Sequence, residues 1–150
     1  MKILMIGNHL GVQSGVQRYV QNLLLRMDLS RYPVDLFVGA CPPGQASSAP
    51  ALEAAGVRIF AVPDNKRDRA RALRRHLREH KDYDIIHYHT ASKIGALACV
   101  AMRAQCPRAK LIVHSHIVYP PVTLAWRAAH LIYQHTADYF LGCGVAAGRF

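Results

Sequence analysis

The sequence predicts an α/β fold, a doubly wound parallel sheet of about six strands with helices on both faces. Three observations carry that expectation. Short apolar runs recur at Ile3–Ile6, Val34–Val38, Val57–Val62, Asp84–Tyr88, Leu111–His114 and Tyr139–Leu141. Each is apolar on both sides, as parallel strands are when helices cover both of their faces. Helical segments alternate with these runs, and right-handed crossovers between them give the strand order 3-2-1-4-5-6.

The first strand, Ile3–Ile6, ends at Gly7, and the loop Asn8–Gln13 follows, eased by Gly11. A helix is expected over Gly15–Met27, with Val16, Tyr19, Val20, Leu23, Leu24 and Met27 at the spacing of one apolar stripe. Ser14-Gly15-Val16-Gln17 fits a capping box, in which the Ser14 hydroxyl accepts from the Gln17 N–H and the Gln17 side chain reaches back to the Ser14 N–H. After the second strand, Cys41–Pro50 reads as a loop by composition. The third strand leads to a helix over Asp68–His80, with Ala70, Leu73 and Leu77 inward and a face of arginines outward. Further helices are expected over Ser92–Ala104, ended by Pro107, and over Thr123–His135 after Pro120-Pro121. The last strand runs into what reads as the first turn of another helix. The 150 residues are therefore expected to be one domain from the front of a longer protein.

Composition narrows the partners. The chain is 51% hydrophobic, enough for a sizeable core, and its net charge of +10 favours anionic ligands. Cys41, Cys99, Cys106 and Cys143 have no metal-binding spacing and read as reduced thiols of a cytoplasmic protein. The apolar start is too short for a signal peptide or a membrane span.

Three glycines at the front, Gly7, Gly11 and Gly15, raise the question of a phosphate loop. A nicotinamide dinucleotide site needs GxGxxG and an acid at the end of the second strand. The chain has GxxxGxxxG, and its only acid there, Asp35, lies near the strand's beginning. Both contacts that mark an oxidoreductase are missing. A nucleotide or sugar-nucleotide diphosphate is still served by the free N–H groups of Gly15 and Val16, where the helix dipole is worth up to about 1 kcal/mol to an anion.

Two His-x-His pairs, His87/His89 and His114/His116, end the adjacent fourth and fifth strands with both members of each pair on one face. His89 and His116, nearest the carboxyl ends, can donate hydrogen bonds to a sugar hydroxyl or a phosphate. His87 and His114 are expected to bond to backbone or to each other. Metal sites of this spacing normally recruit acids as well, and Asp84 lies at the far end of its strand, so no metal is expected. No carboxylate pair brackets the site as glycoside hydrolysis requires.

In the stretch from Asn65 to Lys81, Lys66, Arg67, Arg69, Arg71, Arg74, Arg75, Arg78 and Lys81 crowd on or near one helix. A solvated face is the common fate of such runs. Arg71, Arg74, Arg75 and Arg78 are also candidates for an anionic membrane surface at about 1 kcal/mol per residue. Aromatic residues are missing from the run, so no nucleic-acid partner is expected.

The segments SGVQRYVQNLL, YDIIHYHTASKIGALACVAMRAQCPRAKLIVHSH and ADYFLGCG, in that order, resemble the N-terminal domain of family 4 glycosyltransferases of the GT-B fold, bacterial capsular and exopolysaccharide type. The resemblance implies one of two Rossmann-like domains facing a cleft. It implies transfer of a sugar from a nucleotide-sugar donor, with retention, to a glycan or lipid-linked acceptor. It implies that the donor nucleotide is held by a C-terminal domain, through two glutamates eight apart, that these residues do not include. The fragment alone is then expected to be inactive, cofactor-free and located in the cytoplasm, at the inner face of the membrane if the arginines dock there.

Carried onto this chain, the resemblance assigns Gly15 and Val16 to the donor diphosphate and His116 to the strand-end catalytic histidine. Asn8, His9, His89, Thr90 and His114 are assigned to the acceptor or sugar. Ser14 stands where the family has its first glycine, Gln17 where it has glutamate, and Ile117 where it has Asn, Asp or Gly. A binding module without catalysis, for a nucleotide or an anionic lipid, is the alternative from a different class.

Overall fold

The computed structural model describes residues 1–63, 65–89, 92–116 and 123–144. Six strands, β1 (Ile3–His9), β2 (Val34–Gly39), β3 (Arg58–Val62), β4 (Ile85–Tyr88), β5 (Lys110–Ser115) and β6 (Tyr139–Gly142), form one sheet in the order β3-β2-β1-β4-β5-β6. Every pairing is parallel, as the apolar runs required. β1 and β4 are neighbours where the strand order reverses, the place where a ligand crevice opens in such sheets.

Among the described residues five helices cover the sheet: α1 (Gly15–Leu24), α2 (Ala49–Ala54), α3 (Lys66–Glu79), α4 (Lys93–Gln105) and α5 (Leu124–Thr136). Val20 and Leu24 of α1 and Leu52 of α2 pack with Ile3, Met5, Val34, Leu36 and Val38 in one core. Leu73 and Leu77 of α3, Cys99 and Met102 of α4 and Ala129 and Tyr133 of α5 pack with Leu4, Ile6, Ile86, Leu111 and Val113 in the other. Alternate residues of each strand thus go to opposite layers.

Several boundaries differ from the sequence expectation for local reasons. β1 runs on to His9 because, after a register shift beyond Ile6, His9 rejoins β2 opposite Gly39. α1 stops at Leu24, and the next turn tightens as the Arg26 and Met27 N–H groups bond to the Leu23 and Leu24 carbonyls three residues back. Met27 still packs on the core. α2 lies where the sequence reads as loop and its flank; six residues are too few for a periodic pattern, and Pro50 sits in its first turn, where proline costs no hydrogen bond. In α3, Ala70 is exposed rather than inward, and the buried stripe is completed by Ala72 and His76. Asn65, Ser92 and Thr123 cap α3, α4 and α5 through their side chains.

Asp35 illustrates why an acid at a strand's start belongs to the fold. It lies opposite Arg58 of β3 and accepts two hydrogen bonds from the guanidinium (2.8 and 2.6 Å). The Tyr83 hydroxyl donates to the same carboxylate at 2.6 Å and meets His76 Nε2 at 2.8 Å. Burial alone would push the Asp35 carboxyl up; the hydrogen bonds from Arg58 and Tyr83 hold it below its ordinary range. All four cysteines are free thiols, with Cys99 and Cys106 buried.

Candidate functional site

The site lies at the carboxyl ends of β1, β4 and β5. The turn after β1 is built by two side chains from elsewhere. Gln17, 5% exposed, points inward from α1. With its amide oriented to match donors to acceptors, Nε2 donates to the His9 carbonyl (2.6 Å), and Oε1 accepts from the N–H groups of Asn8 (3.0 Å) and His9 (3.3 Å). From the far side Arg69 donates to the Asn8 carbonyl (2.6 Å) and to the Gly7 carbonyl. Arg69 therefore leaves the basic face and braces the loop.

This corrects the capping box. The Ser14 side chain makes no cap hydrogen bond, and the Gln17 side chain is committed to the β1 turn instead of reaching back to Ser14. The first intrahelical bond is Arg18 N–H to the Ser14 carbonyl (3.0 Å). The N–H groups of Gly15, Val16 and Gln17 consequently find no acceptor among the described residues. A Cβ added to Gly15 would meet nothing within 4 Å, so the domain's own packing does not demand glycine there. Gly11 differs: a Cβ would fall 2.1 Å from Gln45 Oε1 and 3.1 Å from His9 Nδ1, so the Gln45 side chain would have to move aside.

One helical turn beyond Gly15, Tyr19 packs over three imidazoles. Its ring centroid lies 5.8 Å from His89, 5.1 Å from His114 and 5.3 Å from His116. The two His-x-His pairs come together beneath it, with ring centroids 4.0 Å apart for His87 and His89, 4.2 Å for His114 and His116, and 5.5 Å for His87 and His114. His89 Nδ1 and His116 Nε2 share a 3.2 Å hydrogen bond. His87 and His114 stack, and each has one buried ring nitrogen with no partner among the described residues, as has His89.

Burial, reinforced by neighbouring imidazoles, pushes His87 and His116 down to about 4 and His89 to about 2; burial also lowers His114. The cluster is neutral at physiological pH, so each ring offers one donor and one acceptor.

Asn8 and His9 point to a different place. They line a pocket of about 680 Å³ on the α3 and α4 side of the β1 rim, with Arg69, Tyr88, Lys93 and Trp126. The residues grouped as acceptor or sugar contacts are thus split: His89 and His114 join His116 under Tyr19, and Asn8 and His9 open onto the larger, mostly apolar pocket. Thr90 lies outside the described residues. Arg71, Arg74, Arg75 and Arg78 are exposed on α3, with Arg71 paired to Asp68 at 3.3 Å. No helix among the described residues is long and apolar enough to cross a membrane.

Sequence reasoning missed Gln17, Arg69 and Tyr19 as builders of this site. A signal existed for Gln17, since it shares the buried i, i+3, i+7 row of α1 with Val20 and Leu24.

A parallel sheet in this order, with its ligand crevice at the switch point between β1 and β4, defines a Rossmann-like domain. The sequence matches the family model described as glycosyl transferase 4-like domain over residues 14–146, and the chain belongs to that family. Among solved structures it resembles Anabaena Alr3699/HepE, solved in complex with UDP and glucose, with TM-score 0.59 and 18% identity over 93% of this chain. The chain spans 37% of HepE's length. It also resembles VPA0982 of Vibrio parahaemolyticus RIMD 2210633, a protein of unknown function, with TM-score 0.56 and 14% identity over 97% of this chain and 94% of that one. No curated protein matches it in sequence.

Proposed function

We propose that the chain is the acceptor-side half of a retaining glycosyltransferase that moves a sugar, of the hexose type, from a nucleotide-sugar donor to a glycan or lipid-linked acceptor in cell-surface polysaccharide synthesis. The observation that carries this reading is the uncapped start of α1 one turn from the tyrosine that packs on His116. The UDP and glucose held by HepE support a donor of the same class.

In this reading the N–H groups of Gly15 and Val16 hold the donor diphosphate, and the positive end of α1 stabilises the charge that grows on it as the anomeric C–O bond breaks. Neutral His116 donates a hydrogen bond to the donor sugar without adding charge. The acceptor hydroxyl forms the new bond on the face the diphosphate leaves, and its proton passes to the departing phosphate oxygen. No cofactor takes part. The pocket beside Asn8 and His9 receives the acceptor, and its apolar walls with Lys93 and Arg69 at hand suit an anionic, partly apolar molecule. A second domain holds the nucleotide, so these 150 residues alone do not transfer. The exposed arginines of α3 bring the enzyme to the inner, anionic leaflet.

The same fold occurs at this length in VPA0982, a protein of unknown function; the second reading is a binding module without chemistry. The test is incubation of the whole gene product with UDP-sugars and membrane-derived acceptors, with the product's anomeric configuration read by NMR. A glycoside of the donor's own configuration is expected. Tight nucleotide binding with no transfer to any acceptor would support the module, and an inverted product would overturn retention.

A further inference from the structure

The histidine cluster contains more imidazole than sugar transfer uses. His87, His89 and His114 each place one ring nitrogen within 4.8 Å of one from each of the others. Each of these rings also has a buried nitrogen without a hydrogen-bond partner among the described residues: Nε2 of His87, Nε2 of His89 and Nδ1 of His114. His89 and His114 are 1% and 5% exposed, so water does not compensate these atoms freely. Leaving a ring nitrogen buried and unpaired is costly, and three together call for a common partner.

From this geometry we infer a binding site for a divalent transition metal, of the Zn²⁺ or Co²⁺ class, with His87, His89 and His114 as its ligands. Three imidazoles and one open position are a known tetrahedral donor set, and such a set requires no carboxylate. The missing acid, which argued against a metal in the sequence, is therefore no obstacle. Bonds of about 2.0–2.1 Å would bring the nitrogens to roughly 3.4 Å of one another. Rotations of the rings on their fixed strand ends supply that closure. Burial keeps the rings neutral, the form that ligates.

The 3.2 Å bond from His89 Nδ1 to His116 Nε2 supplies the outer partner that metal-bound imidazoles normally have. With His89 bound through Nε2, its Nδ1–H must donate, which makes His116 Nε2 the acceptor and puts the His116 proton on Nδ1. Metal occupancy would then set the tautomer of the residue proposed to face the donor sugar. This goes beyond the transfer reading and stands or falls separately from it, since it is read by metal binding alone.

The experiment is titration of Co²⁺ into the chelator-stripped whole protein, followed by visible absorption and by thermal unfolding. One equivalent is expected to give tetrahedral cobalt bands and a rise in Tm, both reversed by Zn²⁺ displacement or chelation. His87→Gln and, separately, His114→Gln are expected to weaken binding at least 100-fold, and His116→Gln about 10–100-fold. His76→Gln, on a histidine remote from the cluster, should leave the affinity unchanged. Far-ultraviolet circular dichroism is the check that each variant folds, and His87, the most exposed of the three ligands, is the substitution least able to disturb the core. Absence of a stoichiometric cobalt signal in the wild-type protein would overturn the site. So would wild-type affinity in folded His87→Gln and His114→Gln.

Discussion

Gln17 shows how one polar side chain can settle the character of a site. It turns inward to the β1 turn instead of closing a capping box with Ser14, and the first N–H groups of α1 stand open. Replacing Gln17 with Ala removes the side-chain partner of the Asn8 and His9 N–H groups, and the expected loss is about 1–3 kcal/mol of stability in urea unfolding. Gly15 makes the complementary case. Its backbone is not in the left-handed region and a Cβ there meets nothing, so Gly15→Ala should hold or raise stability by about 0.4–1 kcal/mol. In the whole enzyme the same methyl would stand between the N–H groups and the diphosphate, and KM for the donor should rise at least tenfold. Equal donor KM in a folded Gly15→Ala variant would remove this contact from the account.

At the scale of elements, the sequence was most informative where burial is two-sided. Six apolar runs and their order were readable because a parallel strand covered on both faces leaves an unbroken apolar signature. The two His-x-His pairs were readable for a similar reason, since alternation alone puts each pair on one face. What stayed hidden depends on contacts between elements: Tyr19 reaching over the histidines, Arg69 crossing from α3 to the β1 turn, and α2, too short to show a period. In the basic run of α3 the structure separates a bracing residue from the exposed ones. Changing Arg71, Arg74, Arg75 and Arg78 together to Gln is expected to abolish flotation with anionic vesicles and to leave neutral vesicles unaffected. Arg69→Gln should instead lower stability and leave flotation as it was. Flotation that survives loss of all four exposed arginines would rule out α3 as the membrane face.

Over the whole molecule, the buried histidines couple folding to pH. Burial lowers His76, His87 and His116 to about 4 and His89 to about 2, against about 6.5 in the unfolded chain. The unfolded state therefore binds more protons between these values. Their contribution is complete above pH 6.5 and is lost as pH falls, by about 1.4 kcal/mol per pH unit for each histidine that differs fully in protonation. Asp35 and Asp138, also lowered in the fold, add a loss of the same sign at more acidic pH. The urea midpoint should fall steeply from pH 7 to pH 5, and a flat profile would mean that the cluster is hydrated and titrates normally.

The central claim is that this Rossmann-like half presents an open helix start and a neutral histidine to a nucleotide-sugar. The direct measurement is nucleoside diphosphate release by the whole gene product from UDP-sugars in the presence of acceptor, compared with folded His116→Ala. Release by the wild-type protein and a loss of about 10–100-fold in the variant, the weight of one lost hydrogen bond, is the predicted result. Undiminished release from His116→Ala, or none from the wild-type protein with any donor, would contradict the account.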